Sequence, residues 1–389
     1  MDVHNYEKRL ESVVRRIKAS KEISRANRRL LLAFGDELLL ELSVGRVARH
    51  LENMFNVARW LGKDLGRATK DDVKAVVARL NSMPYSEWTR HFYKVSIRKF
   101  FKWLRKSEDY PPEVSWIKLT VKNNNHKLPE DILTPEEVKR LIACAVNLRD
   151  KALIAVLYES GCRIGELLNL RIKDVEFDEY GAKLMLRGKT GMRRVRIISS
   201  APLLADWINR HPMNSDPEAL LWISERSLKP LSYQMVRKML KTSARKAGIR
   251  KRVYPHLLRH SRATHLANHL TEAQMKEFFG WTQSSRMASI YVHLSGRDLD
   301  NALLSIYGIK VRGKESDVLK SNICPRCREN NPPTNKYCSK CGMILDEAEA
   351  IKLMRRECER RRADEILDKL MNDGEFREML INKVKSLLG

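Results

Sequence analysis

The chain has 389 residues, 43% of them hydrophobic, which is enough for two or three domains with apolar cores and excludes disorder along most of its length. Its 74 Lys+Arg against 48 Asp+Glu give a formal charge of +26, the balance of a surface that neutralises phosphates, so nucleic acid is the first partner to test. Apolar runs such as LLLAFG and LLLEL are far too short to span a bilayer, and no basic leader with an apolar core opens the chain; the expectation is a soluble, cytoplasmic, nucleoid-associated protein with no membrane contact.

Residues 1–110 read as helices, with apolar side chains returning every three or four positions from Tyr6 to Trp103. In the last of these segments Trp88, Phe92, Val95, Phe100 and Trp103 form the expected core stripe. Arg90, Lys94, Arg98, Lys99 and Lys102 between them form a basic face that can touch phosphates. Residues 111–129, with three prolines and an Asn run, show no sustained period and read as a linker. Thr134, Pro135 and Glu137 then spell out a helix start, and a second domain is assigned to 130–312.

In that domain two helices, at about 135–146 and 149–159, precede a switch to period two. VEF, AKLMLR and RRVRII read as a small antiparallel β-meander, with Gly188-Lys189-Thr190-Gly191 turning between the last two strands. Helices resume after Ala201, an order that excludes an all-parallel α/β sheet. A cysteine module occupies 320–345, and a charged helical tail occupies 346–389.

Several polar residues of the second domain invite a chemical reading. Arg163 and Glu166 are three apart, Lys189 is at the hairpin tip, His256 and Arg259 share one helix turn, Trp281 follows Gly280, and Tyr291 lies ten residues on. Taken singly, each has an ordinary explanation: an ion pair, a solvated helix face, a hairpin turn. The GKTG stretch is not a P-loop, because Lys183 stands where that motif needs Gly. Taken together, they suit attack on a phosphodiester. Guanidinium forks answer the charge that builds on the non-bridging oxygens, and a tyrosine hydroxyl can form a covalent ester that preserves the bond energy. A lysine can protonate the leaving oxygen. Neither ATP nor Mg2+ is needed for such a step.

In their order along the chain, Arg163 in GCRIGELLNL, Lys189 in LRGKTGMRRVRI, His256 and Arg259 in HLLRHSRATHLA, Gly280-Trp281 in FFGW and Tyr291 in MASIYVHL resemble the tyrosine recombinase, or phage integrase, family. The resemblance covers roughly residues 5–310. It implies a mainly α fold, with a helical core-binding, SAM-like DNA-binding domain followed by the catalytic domain. It also implies site-specific cleavage and rejoining of duplex DNA through a 3′-phosphotyrosyl intermediate, by a homotetramer on two DNA sites. Arg163, His256 and Arg259 would bind the scissile phosphate, Lys189 would be the general acid and Tyr291 the nucleophile. Trp281 occupies a position where the family commonly has His, and its indole can donate a hydrogen bond but cannot shuttle a proton. Glu166 and His260 are expected to support this set, and His265 and His269 to be ordinary helix residues. The step from Trp281 to Tyr291 is one residue longer than in much of the family. Tyr307 is the alternative nucleophile, set among apolar neighbours. Biological roles consistent with the resemblance are integration or excision of a mobile element and resolution of chromosome dimers.

Cys324, Cys327, Cys338 and Cys341 form two C-x-x-C pairs within 18 residues, the spacing of a closed, structural Zn2+ site in a zinc ribbon. Together with the high Lys and Glu content, this appendage suits an archaeal member of the family. Two other functions keep most of the same features: a DNA-binding regulator that no longer cuts, and a type IB topoisomerase. The complete set of active residues weighs against the first, and the separate helical N-terminal domain and linker weigh against the second.

Overall fold

Among the described residues, five α-helices build the N-terminal part of the chain: α1 (Tyr6–Ala19), α2 (Arg25–Leu39), α3 (Val44–Leu61), α4 (Lys70–Ser82) and α5 (Glu87–Leu104). The computed structural model describes residues 3, 5–120, 132–188, 191–294 and 321–388. It divides the chain into two units, Met1–Lys127 and Leu128–Gly389.

In the first unit the helices start where the sequence supplies caps. The Ser24 and Ser86 side chains accept from backbone N–H groups of the first turn, and Thr69 forms a capping box with Asp72. The core gathers Leu31 and Phe34 of α2, Leu51 and Phe55 of α3, and Tyr93, Ile97, Phe100 and Phe101 of α5. Phe34 meets Phe100 edge-to-face at 5.1 Å. The expected stripe on α5 is therefore partly wrong: Trp88 is 59% exposed. Aromatic residues on two adjoining faces of one helix give two overlapping four-residue stripes, and only packing decides which is buried. Val114 and Ile117, from the segment read as linker, are also in this core, so two apolar residues without periodicity suffice to pin an irregular segment.

In the second unit α6 (Pro135–Ala143) opens on the Thr134 capping box, with Thr134 N donating to Glu137 Oε2 at 2.9 Å. Helix α7 (Leu148–Ser160) is buried along most of its length and ends at Gly161, whose φ of 55° stops the helix in the left-handed region. The short α8 (Ile164–Leu168) follows. Strands β1 (Val175–Asp178), β2 (Gly181–Gly188) and β3 (Gly191–Ile197) form an antiparallel sheet in the order β1-β2-β3. Leu184 pairs with Val195 and Leu186 with Arg193, so Ala182, Leu184, Leu186, Val195 and Ile197 face the core. Next come α9 (Ala201–Asn209), α10 (Tyr233–Lys246), α11 (Pro255–Ala267), α12 (Glu272–Phe279) and α13 (Met287–Leu294). The buried carboxylate of Glu159 accepts from the backbone N–H groups of Ile198, Ser199 and Ser200 at 2.7–3.0 Å, tying the end of β3 and the start of α9 to α7.

Beyond residue 320, β4 (Asn322–Ile323) and β5 (Asn330–Asn331) pair antiparallel, and α14 (Glu347–Met371) and α15 (Gly374–Leu388) form the tail. No residue of α14 is buried.

Candidate active site

The end of α12 organises the centre of the site. The last carbonyls of a helix lack intrahelical donors and carry the negative end of the helix dipole. Here three arginines from three elements take three successive carbonyls. Arg193 Nε (β3) donates to Phe278 O at 3.1 Å, Arg259 Nη2 (α11) to Phe279 O at 2.7 Å, and Arg163 Nη2 (before α8) to Gly280 O at 3.2 Å. Arg259 Nη1 also donates to Gly161 O at 2.7 Å. The two arginines singled out in the sequence, 96 positions apart, thus grip adjacent peptide units.

Glu166 joins the same cluster. Its Oε1 accepts from Arg163 Nη1 at 2.8 Å, and its Oε2 accepts from the Arg163 backbone N–H at 2.9 Å and from Arg193 Nη2 at 2.7 Å. Burial alone would raise the pKa of this carboxyl, but the pairs with Arg193 and Arg163 overcome that and hold it at about 2. Arg259 is 3% exposed. Burial, and then the neighbouring charge of Arg163, bring its pKa down to about 10. It remains a cation at neutral pH, stacked over the rings of Phe279 and Trp281 at 5.1 and 5.5 Å.

Tyr291 of α13 is buried against this cluster. Its ring lies parallel to Trp281 with centroids 5.5 Å apart, and Trp281 in turn stacks on Phe279 at 4.8 Å. The Tyr291 hydroxyl shares a short hydrogen bond with Nδ1 of His260. The His260 ring meets His256 edge-to-face at 4.5 Å. Burial pushes the Tyr291 hydroxyl up to about 12, against the pull of the Arg259 charge. Tyrosine, indole and guanidinium therefore form one continuous stack, with His260 at the tyrosine oxygen and His256 against the ring of that histidine.

Several expectations change. His256 and Arg259 share a helix turn but differ in depth: His256 is exposed on α11 while Arg259 is buried. His265 is not an ordinary helix residue, since it is buried and its Nδ1 lies 2.7 Å from the Tyr158 hydroxyl. Lys189 and Tyr307 lie outside the described residues. The hairpin that carries Lys189 does close at Gly188 opposite Gly191, and a Cβ on Gly188 would sit 2.4 Å from Glu166 Oε1, so the base of the hairpin rests on the arginine cluster. Arg193 was not singled out at all. Its signal was available: it shares the alternation of Val195 and Ile197 in β3 and so belongs to the buried face, where a charge needs partners.

The four thiols of the cysteine module also converge. Cys324 and Cys341 Sγ are 3.5 Å apart, as are Cys327 and Cys338, and all four sulfur atoms lie within 4.8 Å of one another. Thiolates on one tetrahedral metal at about 2.3 Å from each sulfur fit such spacings, whereas a disulfide requires about 2.05 Å. Each pair turns the same way: Arg328 N donates to Cys324 O and Gly342 N to Cys338 O, with both residues at positive φ. Asn331 Nδ2 approaches Cys338 Sγ at 3.6 Å, a donor of the kind that steadies a thiolate ligand. The set can hold a metal ion.

Comparison with known proteins agrees with this geometry. Residues 131–297 match the phage integrase family. The chain is 30% identical over 256 residues to tyrosine recombinase XerD of Bifidobacterium longum, covering 61% of this chain and 81% of that protein. It is 30% identical over 243 residues to tyrosine recombinase XerA of the archaeon Pyrococcus furiosus, covering 60% and 80%. Among solved structures, a lambda integrase dimer bound to a COC′ core site shares the fold, with a TM-score of 0.57 at 16% identity over 75% of this chain and 82% of that one. The chain belongs to the tyrosine recombinase family, enzymes that cleave and rejoin DNA at specific sites.

Proposed function

We propose that Tyr291 is the nucleophile, and that Arg163, Arg259 and His256 bind the scissile phosphate of duplex DNA. The observation that carries this reading is the stack of Tyr291 on Trp281 and of Trp281 against the Arg259 guanidinium, which holds the tyrosine within reach of the charge of a fixed, buried cation. The Tyr291 oxygen attacks phosphorus, the bond from phosphorus to the 5′ oxygen breaks, and the 3′ phosphate remains on the tyrosine. Lys189 returns a proton to the leaving oxygen. The tyrosine proton leaves through the hydrogen bond to His260, which keeps a hydroxyl of pKa about 12 next to an acceptor. Arg163 and Arg259 stabilise the added charge of the phosphorane, and the Trp281 indole N–H donates to a non-bridging oxygen. Rejoining reverses these steps with the 5′ hydroxyl of a second duplex.

Residues 1–110, together with the packed segment that carries Val114 and Ile117, act as the core-binding domain, ahead of the catalytic domain at 130–312. The protein works as a tetramer on two DNA sites, in the cytoplasm with the nucleoid. The charge of +26 supplies the affinity for two duplexes, and no helix among the described residues is long and apolar enough to cross a membrane. Zinc at Cys324, Cys327, Cys338 and Cys341 would hold the ribbon together and, with four thiolates bound, take no part in catalysis.

The test uses nicked duplexes carrying the sequences that flank the gene, incubated with the full chain without metal or ATP. A covalent adduct lost in Tyr291→Phe and kept in Tyr307→Phe is expected. Tight binding with no adduct on any duplex would make the protein a DNA-binding regulator instead. Relaxation of a plasmid lacking a target site would make it a topoisomerase.

A further inference from the structure

Of the three guanidinium groups at the end of α12, that of Arg193 is the one the proposed chemistry leaves without a task. Its side chain is 10% exposed, and only two of its nitrogens are engaged: Nη2 on Glu166 and Nε on Phe278 O. Nη1 is buried with no hydrogen-bond partner among the described residues. An unsatisfied buried donor is costly, so a residue present only for packing would be better replaced by an apolar one. The surroundings are nevertheless shaped to admit it. Gly280 has φ 60°, and a Cβ there would sit 2.7 Å from Arg193 Nη1.

The electrostatics supply a reason. Glu166 holds Arg163 by its side chain and its backbone N–H at once, which fixes the arginine but also places a full negative charge against the guanidinium that must attract phosphate. With Arg163 alone, that pair would be neutral. A second cation on Glu166 Oε2 leaves the trio with one net positive charge, facing the position where the phosphorane forms. We propose that Arg193 is a positioning residue of the phosphate site, the counter-cation that lets Glu166 orient Arg163 without cancelling its charge. This rests on the assignment of Arg163 to the scissile phosphate. The same side chain, through Phe278 O, ties β3 to the helix end that also carries the contacts of Arg163 and Arg259. The hairpin bearing Lys189 and the two phosphate-binding arginines are thereby referred to one carboxylate and one helix terminus.

The experiment measures the rate of adduct formation at saturating nicked DNA, and separately DNA affinity, for the full-length wild type, Arg193→Gln, Arg193→Lys, Glu166→Gln and the double variant Arg193→Gln/Glu166→Gln. Arg193→Gln is expected to slow adduct formation by about 10- to 100-fold while affinity, spread over many phosphate contacts, changes by less than about twofold. Arg193→Lys restores most of the rate because it restores the charge. Removing the charge of Glu166 in the Arg193→Gln background brings the rate up to that of Glu166→Gln alone. A role in folding alone would not produce that recovery.

The inference is overturned if Arg193→Gln reacts at the wild-type rate, if Arg193→Lys is as slow as Arg193→Gln, or if the two substitutions slow the reaction independently. Should Arg193→Gln fail to fold, Arg193→Lys and the double variant decide on the same criteria. A wild type that forms no adduct through Tyr291 would instead refute the underlying assignment of the site, so the two failures are distinct.

Discussion

Replacing Gly161 by alanine is expected to destabilise the second unit by about 2–4 kcal/mol. Gly161 ends α7 at φ 55°, where an L side chain costs about 1 kcal/mol. The new Cβ would lie 2.4 Å from Cε1 and 3.1 Å from Cδ1 of Phe279, far inside van der Waals contact. Phe279 is fully buried and stacked on Trp281, so it has no free direction to move, and forcing atoms into such a core costs about a further 1–3 kcal/mol. Gly248→Ala is the control. It has φ 67° and nothing within 4 Å of the added carbon, so it incurs only the backbone cost. Hydrogen exchange of the α11 amides in the full chain reports this unit, and thermal unfolding should shift by roughly 2–4 °C for each kcal/mol. Gly161 O and Phe279 O both hold Arg259, so Gly161→Ala should also slow adduct formation at temperatures where the protein is fully folded. Equal destabilisation by the two substitutions would refute the steric argument.

Other predictions follow from the same geometry. Because the folded pKa of Glu166, about 2, lies below its ordinary 4.5, this carboxylate stabilises the fold fully above pH 4.5 and progressively less as pH falls toward 2. Acid unfolding of the second unit should be shallower over that window in Glu166→Gln. His50 is half-buried, and that burial, then Lys99, Arg46 and Arg49, lower its pKa from 6.5 to about 4. The first unit should therefore lose stability as pH falls through that interval, and His50→Gln should remove much of the loss in a pH series of melting curves. Trp281→Ala removes two stacking contacts and should slow adduct formation. Trp281→Phe should restore the stacking, worth about 0.5–1.5 kcal/mol per pair, without the indole donor, and a full recovery of rate would exclude a role for the N–H. Chelation, or Cys338→Ser, should abolish exchange protection in residues 321–345 and release zinc, with protection of α11 unchanged as the check that the loss is local.

Local chemistry was legible in the sequence wherever the chain dictates it over a few residues. The capping box at Thr134, the alternation of β2 and β3, the hairpin between Gly188 and Gly191 and the converging cysteine pairs depend on neighbours and on period, and all are present. The order Arg163, His256, Arg259, Trp281, Tyr291 carried the family, because phosphoryl chemistry needs those side chains and little else supplies them together. What the sequence left open is depth and partnership. Trp88 and Phe100 lie on adjoining faces of one helix, and only the fold decides that one is exposed and the other buried. His256 and Arg259 share a turn, and Arg259 alone is drawn inward by carbonyls on α7 and α12. Arg193 looked like one of many basic residues until the sheet carried it beside Glu166. Those partners are 20 to 98 positions away in sequence, and the free energy of burying a charge depends on where they stand in space.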